Sequence, residues 1–268
     1  MKTHYKFIAC GLILLFCCQP VPLTGRRQFR LIPDQLLTSL SLDSWQSTLQ
    51  QYGTITGTPE SELVQRVGTR IKNAVIQYFE QENASDQLEG FQWEFSLLDD
   101  TTVNAFAMPG GKVGVFKGML PVAQTEEGLA VVVGHEIAHV IARHGNERMS
   151  QLLVIQLGGI ALQEALDQYP EQTRQLALAA FGIGAQIGIL LPYSRLHESE
   201  ADQLGLIFMA LAGYDPRAAI DFWVRMDELQ ASVPVPEFLS THPSHETRID
   251  DIQKALPKAL EYYNPQSE

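Results

Sequence analysis

The spacing of apolar positions divides the chain into a helical start, a short alternating stretch and a long helical remainder. Pro33 to Gln51 carries a weak helical pattern. Thr58-Pro59-Glu60 reads as a helix start: a side chain that can cap, a proline where no N–H donor is needed, and acids in the first turn. Leu63, Val67, Ile71, Val75 and Phe79 then recur at helical spacing, which predicts a helix to about Glu80 with that face in the core. The period next falls to two. FQWEFSLL, Phe91 to Leu98, reads as a strand, Val103 to Met108 and Lys112 to Phe116 as two more, and Pro109-Gly110-Gly111 as the turn between them. From Thr125 the chain is helical again, with Thr125 as cap and Glu126 and Glu127 at the positive end of the helix dipole. Further helices are expected at about 147–168, 172–190, 194–212, 216–230 and 244–262. The expected fold class is α+β: a mostly helical domain holding one small antiparallel sheet.

One of these helices carries chemistry. VVVGHEIAHVIARHG, Val131 to Gly145, sets His135, Glu136 and His139 among valines, isoleucines and alanines. His135 and His139 are four residues apart, about 40° around a helix, so one ion can take both imidazoles. Glu136 stands beside them, angled toward a water on that ion. Unpaired imidazole and carboxylate groups are costly in so apolar a setting, and a divalent cation supplies a partner. His144 lies about 180° from His135 and drops out as a ligand; with Arg143 it is expected to serve the last carbonyls of the helix.

A catalytic zinc ion needs a third protein ligand and an open position. The extended pattern with glycine at 142 and histidine at 145 is excluded, because Ala142 and Gly145 stand there. SRLHESEAD, Ser194 to Asp202, offers a distal acid. Glu198 and Asp202 share a helical face, so one can bind the metal while the other accepts a hydrogen bond from a ligand histidine. Glu200 is expected to face solvent, and His197 to lie at the surface or behind the ligands.

HEIAH followed by SRLHESEAD resembles the HtpX/CAAX-prenyl-protease family of gluzincin zinc metallopeptidases. NAFAMPGG, Asn104 to Gly111, is similar to that family's edge strand, and Thr241-His242-Pro243-Ser244 with Arg248 to its late His-Pro…Arg element. VPLTGRRQF resembles the exported bacterial members of the BepA/LoiP type and the mitochondrial Oma-type members. The resemblance implies one Zn2+ per chain held by His135, His139 and Glu198, with Asp202 behind a ligand. It implies Glu136 as general base, His242 and Arg248 as transition-state stabilisers, and Asn104, Ala105, Phe106 and Ala107 as a strand that docks an extended substrate. The implied activity is a zinc endopeptidase acting on misfolded or unfolded polypeptides in cell-envelope quality control, with envelope assembly complexes as partners. Two other readings stand beside it. One is a chaperone-like binding protein with a non-catalytic metal site. The other is a latent peptidase whose open zinc position is plugged by a loop, with His245 or His197 as the plug.

Composition fixes the setting. With 45% hydrophobic and 19% charged residues the chain is globular, and a net charge of −12 argues against nucleic acid as a partner. Lys2 and Lys6 before the apolar run Phe7–Phe16 have the layout of a secretory signal, with all three cysteines, Cys10, Cys17 and Cys18, inside it or at its end. Cys17-Cys18 resembles a lipoprotein processing site; simple cleavage and an uncleaved anchor are the alternatives. The expected organisation is a lipoprotein-type signal peptide at 1–18, a tether at 19–32 and a zinc metallopeptidase domain at 33–268, exported to the periplasm and anchored to the outer membrane. QLALAAFGIGAQIGILL, Gln175 to Leu191, reads as a buried core helix, a membrane-surface contact or a span, with Gly184 and Gly188 spaced for close helix approach.

Overall fold

The computed structural model describes residues 18–186, 190–230, 236–243 and 247–264, so the signal segment lies outside it up to Cys18, as do Gly188 and His245. The chain divides into two compact units, one of residues up to Asp34 together with Arg143–His197, the other of Gln35–Ala142 and Glu198 onward.

The larger unit is built on a four-stranded sheet. Helix α1 (Asp34–Tyr52) buries Leu37, Ser41 and Trp45 at one-turn intervals. Helix α2 (Pro59–Gln81) starts as its sequence dictates: Thr58 Oγ1 accepts from Ser61 N–H, and Ser61 Oγ accepts from Thr58 N–H. Its buried face is Val64, Val67, Ile71, Val75 and Phe79. Leu63, expected in that face, is half-buried, because Val64 has the better angular fit to the remaining four.

Strands β3 (Thr54–Ile55), β4 (Glu94–Leu98), β5 (Ala105–Met108) and β6 (Lys112–Phe116) follow, in sheet order β3-β4-β6-β5. Gly110 and Gly111, at φ 87° and 89°, make the β5–β6 turn that the sequence announced. β6 returns between β5 and β4, so it runs parallel to β4. The sheet is therefore mixed rather than wholly antiparallel, and β5 is left at an edge.

After a one-turn helix α3 (Leu120–Ala123), α4 (Glu126–Ile141) is capped by Thr125, which accepts from Gly128 N–H at 3.0 Å. It is buried over nearly its whole length and packs against α2 and β5.

The smaller unit holds the arm read as a tether. Its strands β1 (Cys18–Pro20) and β2 (Arg27–Phe29) pair as an antiparallel hairpin. Arg143 adopts left-handed backbone at φ 56° and α5 (His144–Ala165) begins there, so His144 opens a new helix instead of closing α4. The side chain of Arg143 pairs with Asp34 at 3.0 Å. Glu147, in the first turn of α5, takes both Arg26 guanidinium nitrogens at 3.2 and 2.7 Å, Phe29 N–H at 3.2 Å and His197 Nε2 at 2.9 Å. Leu31 N–H donates to Ser150 Oγ, and Asn146 donates to Ile32 O.

From there α5 runs into a turn and returns as α6 (Glu171–Ala185), with Phe181 against Gly158 and Gly159. The core-helix reading of this region does not hold. Leu176 is 73% and Ile183 62% exposed, and a side chain added at Gly184 would meet nothing within 4 Å. Apolar sequence marked a segment that avoids water, without saying what covers it. Among the described residues no helix is long and apolar enough to cross a membrane.

Helix α7 (Leu191–Leu211) ends in the larger unit, followed by α8 (Ala218–Gln230), the short α9 (Glu237–Thr241), which the sequence pattern did not indicate, and α10 (Arg248–Leu260).

Candidate metal centre

α4 and α7 carry the polar face of the site, and two glycines set their approach. A Cβ on Gly134 would lie 3.0 Å from Gly205 O, and one on Gly205 would lie 2.9 Å from His135 N. Only bare backbone fits at that crossing, which lets side chains as short as histidine and aspartate meet across it. Glycine directly before His135 and three residues after Asp202 was the sequence signal for this, but it means nothing until the two helices are known to cross there.

His135 and His139 stand one turn apart on α4 with their Nε2 atoms 3.0 Å apart. Glu198 approaches from α7, with Oε2 3.3 Å from His135 Nε2 and Oε1 3.4 Å from His139 Nε2. His242, just past α9, brings Nδ1 to 3.2 Å from both Glu198 oxygens and from His135 Nε2. One donor atom from each of these four residues lies within 4.8 Å of the others. Its ring stacks on Phe238, whose N–H donates to Val103 O at 3.0 Å and so ties α9 to the approach to β5.

Behind these groups Asp202 Oδ1 lies 2.9 Å from His135 Nδ1, close but not aligned as a full hydrogen bond. That contact turns Nε2 toward the cluster. Arg248 is 1% exposed. It reaches both Asp202 oxygens at 2.9 Å and Glu198 Oε2 at 3.3 Å, and donates to His242 O at 3.3 Å and Pro243 O at 3.4 Å. Its guanidinium lies over the Trp223 ring, 3.4 Å from the centroid. Trp223 could not be assigned to the site from sequence, since nothing local distinguishes it from a core aromatic.

Electrostatics follow from this packing. Burial pushes the Glu136 carboxyl above its ordinary range. Burial also lowers His139, to about 3, which leaves its ring neutral. At His135 burial pulls downward too, but Asp202 and Glu198 outweigh it and raise the ring to about 9. At Glu198 burial is outweighed by His242, His139 and His135, and the carboxylate is held well below its usual range. Once an ion displaces the extra proton of His135, two imidazoles and an ionised carboxylate aimed at one point form a donor set that fits zinc.

Glu136, next on α4, is fully inside, with Oε1 3.3 Å from His242 Nε2 and the backbone N–H of Ala107 as a further partner. The register explains that contact. Asn104 O accepts from Phe116 N–H and Met108 O from Gly111 N–H, so by alternation Ala105 and Ala107 turn their backbone groups to the free side of β5. Asn104 Oδ1 takes the N–H of Ala105 at 2.9 Å, and Phe106 packs against Trp45 and Phe116.

Two residues of α7 sit otherwise than expected. Glu200 is 5% exposed and does not face solvent: the side of α7 away from Asp202 is packed as well. His197, equally buried, belongs with Glu147 and His144, its ring stacked on the latter at 4.3 Å.

Comparison with known proteins gives a consistent result. The model of peptidase family M48 matches residues 66–256. The chain is 34% identical over 240 residues to a mitochondrial metalloendopeptidase OMA1 of Schizosaccharomyces pombe, covering 89% of this chain and 66% of that protein. It is 30% identical over 275 residues to the one of Saccharomyces cerevisiae, covering 98% and 77%. A putative beta-barrel assembly-enhancing protease of Vibrio cholerae is 36% identical over 167 residues, covering 60% of this chain and 34% of that protein. The chain thus spans from 34% to 77% of the length of these relatives.

Proposed function

The chain belongs to peptidase family M48, and from that premise we propose that it is a zinc-dependent endopeptidase of the cell envelope that cleaves unfolded or misfolded polypeptides. The observation that carries the reading is the convergence of His135, His139 and Glu198 beside Glu136, with β5, at the edge of its sheet, joined to Glu136 through Ala107. His135, His139 and Glu198 hold the metal. A zinc ion there supplies Lewis acidity to a scissile carbonyl and to water. Glu136 takes the proton of the attacking water and returns it to the departing amine; a carboxyl raised by burial suits both halves of that transfer. Asp202 orients His135. Arg248 spends its guanidinium on Asp202, Glu198 and two carbonyls, which favours a positioning role over direct contact with an oxyanion. Asn104 to Ala107 accept the substrate as an added strand, a mode that suits unfolded chains.

The envelope setting rests on Lys2, Lys6, the run Phe7–Phe16 and Cys17-Cys18, which fit a lipoprotein signal. Replacement of Glu136 by glutamine tests the mechanism: bound zinc stays at one per chain and cleavage of an unfolded protein disappears. Cleavage that persists in Glu136→Gln overturns it.

A second reading has its own observation. His242 Nδ1 stands among the ligand atoms, which supports a latched state with His242 as a fourth donor at the position open to substrate or water. On this reading His242→Ala raises basal cleavage. If His242 is instead the oxyanion donor, the same change lowers it by about two orders of magnitude.

A further inference from the structure

The hairpin of α5 and α6 has no core of its own on most of its surface. Leu152, Leu153, Leu157 and Ile160 on α5 are 39% to 56% exposed, and Leu176 and Ile183 on α6 more so. No charge occurs from Met149 to Gln163 or from Gln175 to Ala185. The charges sit at the two ends instead: Glu147 and Arg148 at the root, and Glu164, Asp167, Glu171 and Arg174 around the turn. A helix apolar on all sides is normally enclosed by protein or lipid.

We propose that this hairpin is a membrane-docking surface that lies flat in the interface of a phospholipid bilayer. Among the described residues neither helix is long and apolar enough to cross, and driving the turn inward would carry Glu164, Asp167 and Glu171 into hydrocarbon. Lying in the plane buries the uncharged stretches and leaves the turn among headgroups. The choice of a bilayer over a protein partner comes from the N-terminus. The apolar run Phe7–Phe16 and Cys17 lead directly into Cys18, which is already paired with Phe29. That β-hairpin is fixed to the root of α5 by Arg26, Phe29 and Glu147. An acylated cysteine or a retained apolar segment at this end of the chain therefore brings a membrane to the arm that is fixed at the root of the exposed hairpin. The chain is acidic, so the attraction is apolar and extends to uncharged lipid. The inference rests on the N-terminal anchor of the proposed function and not on its peptidase chemistry.

The test uses the full chain on phosphatidylcholine vesicles, with Leu157→Trp as reporter. The wild type, whose Trp45, Trp93 and Trp223 lie in the other unit, is the reference. The introduced tryptophan is expected to shift to the blue and to lose at least half its emission to acyl-brominated lipid, while the reference changes little. Amide exchange over 149–163 should slow at least tenfold on vesicles, and the triple variant Leu152→Glu, Leu157→Glu, Ile160→Glu should abolish that slowing. Circular dichroism and cleavage of a soluble unfolded protein by the triple variant are expected to match wild type. A vesicle-anchored chain whose hairpin exchanges as fast as in solution overturns the proposal. So does shielding that appears without lipid and follows a concentration-dependent dimer, which would make a second copy the occupant. Docking that requires anionic lipid and vanishes in salt overturns the apolar mechanism.

Discussion

Two buried clusters in this molecule are made of the same side chains and behave differently. Around Glu147 stand Arg26, His197 and His144; around Glu198 stand His135, His139 and His242, with Arg248 behind. His197 and Glu198 are consecutive on α7, yet each belongs to a different cluster. At Glu147 the contacts close on themselves. Its carboxylate is shared among a guanidinium, a backbone N–H and an imidazole, and the two rings stack face to face at 14°. At Glu198 three imidazole nitrogens and a carboxylate point at a common centre. Composition alone does not separate a clamp from a metal site; the convergence of donor atoms does.

Matched substitutions test that contrast, and the largest effect is expected first. Glu198→Gln should lower hydrolysis by about 10³-fold or more with loss of zinc, whereas Glu147→Gln should leave turnover within about twofold, as steady-state assays on an unfolded protein will resolve. The second change should instead loosen the arm, seen as faster amide exchange at residues 19–29, because Arg26 loses its carboxylate. Next in size, Asp202→Asn should weaken zinc binding by roughly 10- to 100-fold through misorientation of His135, measured by competition with a chelating dye.

A smaller and separate effect comes from acid. Burial alone would raise the Glu147 carboxyl, but His197 and Arg26 outweigh it and hold it down at about 2, against an ordinary value of 4.5. A depressed carboxylate stabilises the folded state fully above its unfolded value and less as pH falls. The arm should therefore hold above pH 4.5 and loosen between pH 4.5 and about 2, and in Glu147→Gln that pH dependence should vanish. Arm exchange rates measured across this range check it.

What the sequence disclosed divides along the same line. Local features were readable. The Thr58 and Thr125 caps, the β5–β6 turn and the pairing of His135 with His139 each depend on residues a few positions apart. The acids at 198 and 202 were readable as a shared face, and their approach to the histidines followed once α4 and α7 were known to cross. Features set by distant packing were not readable. The parallel pairing of β4 with β6 leaves no mark on either strand's alternation. The Gly134–Gly205 contact is two ordinary glycines until the helices meet. Glu200 was placed in solvent by an angle that ignores what packs on the far side of α7. The short strands β1 and β2 give too few positions for a period, and the capture of that arm by Glu147 joins residues more than a hundred positions apart.

The contrast between the clusters is tested most directly by counting zinc. Equilibrium dialysis of wild type, His135→Ala and His197→Ala should give one bound zinc, none and one. Zinc retained by His135→Ala, or lost from His197→Ala while its fold persists by circular dichroism, would contradict the assignment of the metal to the Glu198 cluster.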